Sequence, residues 1–166
     1  PQPSPANPSL KINVEFVSVN PNGPITIGSG RGAAYGSTLC SVLQAAGHTV
    51  HREYYINDGV NSEQMRQFAE SVRGSLLDHD ISDRPYKGEY VDAVAAQVRA
   101  EWDINDWKLV SVDDLQAKAQ SFMLAAQREA LSAFGVEFDT WFSEQSLHDS
   151  GLVAEEVEAL EASGVA

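Results

Sequence analysis

Residues 11–56 read, in order, as a strand, a punctuated loop, a helix and a second strand, an order that few folds can accommodate. KINVEFV alternates, with Ile12, Val14 and Phe16 on one face and Asn13, Glu15 and Val17 on the other, as a half-buried strand over 11–17 would. The loop SVNPNGPITIGSG follows, broken by N-P, P-N-G-P and G-S-G steps. In RGAAYGSTLCSVLQAAG, the residues Ala34, Leu39, Val42, Leu43 and Ala46 share a helical face, with Ser29 or Gly30 near the cap and Gly47 at the stop. HTVHREYYI, residues 48–56, is β-branched and aromatic and supplies the second strand. A strand–helix–strand unit normally closes as a right-handed crossover between parallel strands, so the predicted class is α/β.

Further along, Met65, Phe68, Ala69, Val72 and Leu76 recur at helical spacing, and residues 77–87 form a polar stretch ending in RPYKG. Helices are expected over Glu89–Trp102 and, from the cap-like SVDD, over Ser111–Phe134, where Gly135 stops the chain. VEFDTWF, residues 136–142, reads as a third strand, SEQSLHDSG as a loop and LVAEEVEALEASG as a short acidic helix. The opening PQPSPANPS holds four of the seven prolines and no charge, so residues 1–10 are expected to be a linker or disordered. With 166 residues in all, one ordinary domain is expected.

Charge is distributed unevenly. The chain carries 24 acidic against 11 basic residues, a net charge of −13, which argues against a surface that grips nucleic-acid phosphates throughout and against DNA as a partner. Between Glu15 and Glu53, however, there is no Asp or Glu, where an even spread would place roughly five. Arg31 is the only Lys or Arg in that stretch before Arg52. A cation at a helix N-terminus opposes the macrodipole by roughly 0.3–1 kcal/mol unless an anion lies between them. Gly28, Gly30 and Gly32 bring bare backbone N–H groups to the same place, the arrangement that holds phosphate.

Other chemistries are less well supported. GSGRGA fits the dinucleotide pattern G-x-G-x-x-A, with Glu53 about 20 residues on, but that fingerprint needs its first glycine directly at the strand end. Gly28 lies well beyond Phe16, with two prolines between, so an NAD site is out of register. His48, His51, His79 and His148 have no metal-ligand spacing, and Cys40 falls in the apolar pattern of its helix. Trp102, Trp107, Trp141, Tyr54 and Tyr55 read as packing residues rather than base-stacking platforms. A single cysteine, no apolar run of membrane-spanning length and no signal-peptide pattern lead to the expectation of a cytoplasmic chain without membrane contact.

The string EFVSVNPNGPITIGSGRGAAYGSTLCSVLQAAGHTVHREYYIND, with the later YKGEYV and FDTWFSE, closely resembles the start of the catalytic domain of arginyl-tRNA synthetases, in the class I aminoacyl-tRNA synthetase family. The resemblance implies half of a Rossmann-type parallel sheet with a helical connective insertion. Residues 11–76 would be the first βαβ unit and following helix, 77–135 the insertion, and 136–166 the return to the Rossmann domain. It also implies ATP-dependent activation of L-arginine and its transfer to tRNA-Arg, with ATP as substrate together with Mg2+ and no protein-bound metal.

Carried over by position, the family's arginine pocket falls on Glu15, Ser18 and Asn20, with Glu15 meeting the guanidinium and the other two the α-carboxylate and α-ammonium end. A carboxylate at the C-terminal end of such a strand suits a planar, charge-assisted pair. The residues alone also fit a plainer reading, an exposed strand glutamate and two local turn hydrogen bonds. On the ATP side the family's H-x-G-H appears as Thr26-Ile27-Gly28-Ser29, without either histidine. Thr26 and Ser29 donate hydrogen bonds but carry no positive charge, so Gly28, Gly30 and Arg31 are expected to share the phosphate-binding role. The family's glycine–asparagine–glutamine turn is altered to Gly59-Val60-Asn61-Ser62. Two origins fit these departures: a piece of a synthetase that is inactive in isolation, or a stand-alone degenerate nucleotide- or amino-acid-binding module.

Overall fold

The computed structural model describes residues 8–59 and 62–164. Most of the expected linker (residues 1–7) and Val60 and Asn61 of the altered turn lie outside the described residues.

Three strands, β1 (Lys11–Glu15), β2 (Thr49–Ile56) and β3 (Thr140–Ser143), form one parallel sheet in the order β1-β2-β3. Glu15 lies opposite Glu53 in the first ladder, and Glu53 opposite Thr140 in the second. Between β1 and β2 runs α1 (Ile27–Ala45), completing the expected βαβ unit. The chain then leaves the sheet through α2 (Glu63–Leu76), α3 (Glu89–Glu101) and α4 (Val112–Ala133). It returns through β3 and ends in α5 (Gln145–Asp149) and α6 (Leu152–Ser163).

Two apolar cores hold this arrangement. Phe68, Val72, Val91, Val98, Leu115 and Ala119 join α2, α3 and α4 into a helical layer. Phe16, Ala33, Cys40, Tyr54, Ile56, Leu131 and Val136 bind α1 and the end of α4 to one face of the sheet. Thus α4 serves both cores, and α2, read in sequence with the βαβ unit, packs with α3 and α4. Cys40 is fully buried, as its place in the helical pattern suggested.

Four boundaries differ from the sequence reading. β1 ends at Glu15 rather than Val17, because Val17 and Ser18 turn into the left-handed region at φ 68° and 44°. α1 begins at Ile27, capped by Thr26, so Gly28, Ser29 and Gly30 form its first turn instead of preceding it. The third strand occupies 140–143 rather than 136–142: Gly135, at φ 80°, ends α4 and drops Val136 into the sheet core before pairing starts. SEQSLHDSG holds the short α5, whose Gln145 N–H is received by the Asp58 carboxylate at 3.0 Å.

Candidate functional site

β1 delivers the chain to a loop, residues 16–26, that reaches the start of α1 along the C-terminal end of the sheet. Left-handed backbone at a β-branched residue such as Val17 costs on the order of 1–3 kcal/mol, so neighbouring bonds must hold it. They come from β2: the Phe16 N–H donates to Glu53 O at 3.2 Å, the Tyr55 N–H to Ser18 Oγ at 3.0 Å, and the Val19 N–H to the Tyr54 hydroxyl at 3.2 Å.

The loop lines a cleft of about 720 Å³, bounded by Ser18 to Asn20, Asn22 to Pro24, Thr26 and Ser29 on one side and by Gln64, Tyr86 and Tyr90 on the other. None of these side chains is ionised at neutral pH, although the chain carries a net charge of −13. An anion entering this space therefore meets no facing carboxylate.

The cleft collects Ser18, Asn20, Thr26 and Ser29 among the residues singled out in sequence. Thr26 Oγ1 accepts from the Ser29 N–H at 3.2 Å and lies 3.0 Å from Ser29 Oγ. One hydroxyl proton of that pair is used between the two oxygens, and the other is free to point at a ligand. Asn20 donates to Gln64 Oε1 and accepts from Asn57 Nδ2 at 2.8 Å, which leaves its amide one further N–H. Ser18 Oγ donates to Phe16 O at 3.4 Å while receiving the Tyr55 N–H, so its present bonds are local.

Glu15, Gly28, Gly30 and Arg31 stand outside the cleft lining. Glu15 is exposed at the end of β1, on the sheet face opposite the core. Gly28 and Gly30 lie in the first turn of α1, and Arg31, which is exposed, follows directly after it.

Sequence reasoning did not single out Asn22, Gln64, Tyr86, Tyr90 or Gln127. The phenol of Tyr86 receives the Asn22 amide at 2.9 Å and so links the two walls. Tyr90 folds over Gly88, where an added Cβ would stand 2.3 Å from its ring. Both tyrosines sit in RPYKGEYV, a stretch read as a loop and a helix start and, in YKGEYV, as part of the family resemblance, with no site role given to either. Their spacing carries no sign that they turn toward Asn22.

No family model matches the chain. Curated proteins do. The chain is 43% identical over 154 residues to an arginine–tRNA ligase of Kineococcus radiotolerans, covering 90% of this chain and 27% of that protein. It is 38% identical over 161 residues to an arginine–tRNA ligase of Citrifermentans bemidjiense, covering 93% and 29%. Among solved structures, a Campylobacter jejuni protein described as an arginyl-tRNA synthetase superposes with a TM-score of 0.78 at 28% identity, over 93% of this chain and 34% of that one. The arginyl-tRNA synthetase of Thermus thermophilus shares the fold at a TM-score of 0.62 and 21% identity. The chain thus spans about 30% of the length of the curated relatives it matches, between 27% and 29% for the two named.

Proposed function

This chain is a homologue of the arginine–tRNA ligases that corresponds to a partial region of them, and from that premise we propose that it supplies one half of the site that activates L-arginine with ATP for transfer to tRNA-Arg. In this reading residues 11–76 form the first Rossmann βαβ unit and the helix that follows it, 77–135 the connective insertion and 136–166 the return. The protein acts in the cytoplasm. No described helix is long and apolar enough to cross a membrane.

The observation that carries the proposal is the uncharged cleft at the start of α1. The Ile27 and Gly28 N–H groups, which precede those of Ser29 and Gly30 already bonded to Thr26, receive the ATP phosphates together with the spare hydroxyl proton of the Thr26–Ser29 pair, and the bare Cα atoms of Gly28 and Gly30 leave the approach open. Arg31 supplies the positive charge that two hydroxyls cannot. ATP arrives as its Mg2+ complex; among the described residues no group of three His, Cys, Asp or Glu is placed to hold a metal. The free N–H of Asn20 meets the arginine α-carboxylate, with Ser18 beside it, and Glu15 pairs with the guanidinium.

Arginine-dependent ATP–pyrophosphate exchange tests this assignment in the enzyme that carries the chain. Glu15→Gln is expected to raise the KM for arginine about tenfold, roughly 1.4 kcal/mol, and to leave the KM for ATP unchanged, whereas Thr26→Ala with Ser29→Ala should do the reverse. An unaltered arginine KM in Glu15→Gln removes Glu15 from the pocket. Residues 1–166 alone are expected to catalyse no exchange, because the stabilisation of the transition state is shared with a part they do not contain.

A further inference from the structure

Gln127 belongs to α4, outside every motif that points to the site, yet its side chain ends in the site's loop. It is 1% exposed. Its amide nitrogen donates to two loop carbonyls, Asn20 O at 3.0 Å and Gly23 O at 2.7 Å, which uses both of its N–H groups. Its Oε1 lies 3.2 Å from the hydroxyl of Tyr54, and that hydroxyl also receives the Val19 N–H. One buried amide and one buried phenol therefore tie Val19, Asn20 and Gly23, the segment that runs from the left-handed turn at Val17 and Ser18 to the cap of α1.

The buried residues of α4 are Leu115, Ala119, Met123 and Leu131 together with Gln116, Gln120 and Gln127, and of the three glutamines Gln127 is the most deeply buried, where a primary amide needs all its partners in place. Packing alone would be served by methionine. What methionine cannot do is hold two carbonyl oxygens at a fixed separation. The loop's own bonds to β2 secure residues 16–19, whereas the backbone of Asn20 and Gly23 is held by Gln127 and the Asn22 side chain by Tyr86; the Asn20 side chain is bonded separately to Gln64 and to Asn57, just beyond β2.

We propose that Gln127 is a positioning residue for arginine and ATP: its amide fixes the backbone at Asn20 and Gly23, so that the Asn20 side chain and the Thr26 cap face the cleft before substrate arrives. The proposal rests on the reading of that cleft as the substrate site. It makes the helical layer part of the site's construction, although that layer places Gln127 in contact with the loop backbone and not with the cleft itself.

The test uses this chain with Gln127→Met, which keeps the volume and removes both donors, and Gln127→Glu, which keeps the shape and turns oxygens toward the two carbonyls. Three readouts are taken: amide hydrogen exchange by NMR, the urea midpoint, and calorimetric titration with L-arginine and with ATP. Expected are exchange at least ten times faster at Val19 to Gly23, exchange within threefold of wild type in β2 and α3, and arginine binding weakened at least tenfold in whichever variant remains folded. Unchanged loop exchange in a folded variant overturns the proposal, and so does a loosened loop that binds arginine as tightly as wild type. In the enzyme that carries the chain, KM values for arginine and ATP that stay unchanged in the Gln127 variants, in Glu15→Gln and in the Thr26→Ala, Ser29→Ala pair, while the loop still loosens, leave the hold on the loop standing and remove the substrate reading of the cleft.

Discussion

The ring of Phe16 lies so close over Gly36 that a Cβ built on the glycine would stand 2.3 Å from it. Phe16 closes the first strand's apolar series and Gly36 lies midway along α1, so this contact sets how near the helix comes to the sheet. Glycine in a helix interior costs about 0.5–1 kcal/mol relative to alanine, and here the close approach is its compensation. Gly36→Ala should nevertheless destabilise the chain, by about 1–3 kcal/mol through overpacking. Urea unfolding with an unchanged slope and a lower midpoint is the expected result; a variant as stable as wild type would show that helix and sheet separate freely.

Asp58 joins the ends of two strands. Its carboxylate receives the Ser143 hydroxyl at 2.7 Å and the Gln145 N–H at 3.0 Å, so one side chain at the end of β2 fixes the end of β3 and starts α5. Asp58→Ala should cost about 1–3 kcal/mol, since both bonds are charge-assisted and the Gln145 N–H loses its acceptor. Amide exchange at Gln145 should rise more than exchange in α1. Equal increases everywhere would mean that the bond has no local role.

Burial pushes the Tyr54 phenol from 10 up to about 12, against a smaller opposing effect of the Val19 backbone. The folded state favours the protonated phenol, so this contribution is complete below the unfolded value of 10 and is lost as pH rises through the folded value of about 12. The whole contribution is worth roughly 2–3 kcal/mol. Burial also raises Tyr55 and Tyr90, so tyrosinate absorbance should show a spread of ionisations with Tyr54 last and together with unfolding. Tyr54→Phe should flatten the fall in stability between those pH values while lowering stability at neutral pH, where it removes the one hydroxyl proton shared between Val19 O at 3.1 Å and Gln127 Oε1 at 3.2 Å and leaves the Val19 N–H without its acceptor. Retention of the full alkaline slope in that variant would assign the fall to another group.

The resemblance puts Thr26 and Ser29 at the family's histidine positions, and their hydroxyls are 3.0 Å apart. Thr26→His with Ser29→His should raise the exchange rate of the enzyme carrying this chain at least tenfold, because imidazolium can place charge where the phosphates develop it. The gain falls short of the about 2.7–4 kcal/mol seen for a single well-placed donor elsewhere, since on the proposed reading the helix N–H groups and Arg31 already serve. Losing the Thr26 cap should meanwhile cost about 1 kcal/mol of stability. An exchange rate that does not rise in a folded variant would place the phosphates away from these two positions.

How much of this was legible beforehand follows from the range of the forces involved. The parallel pairing of the first two strands, the helix between them and the helical excursion were all readable, because apolar spacing and Gly/Pro punctuation act within a few residues. Boundaries failed where a distant contact decides. Val136 alternates like a strand residue but is drawn into the core beneath Gly135 instead, and α5 exists because Asp58, far back in the chain, receives its first N–H. Ser18 shows the same limit at the site: its type and place were readable, but the bond from the Tyr55 N–H that orients it was not.

The amino-acid order by itself determined the α/β class, the acid-free stretch around the glycine-rich helix start, and the likeness to arginine–tRNA ligases, since each is written in neighbouring residues. Tertiary structure alone decided which side chains complete the cleft. Gln64, Tyr86 and Tyr90 reach it from the far side, and Gln127 reaches its loop from a helix whose apolar faces serve two cores. Periodicity reports which face of an element avoids water. It does not report which polar groups meet once those faces are packed, because a buried hydrogen bond is chosen by geometry across the fold.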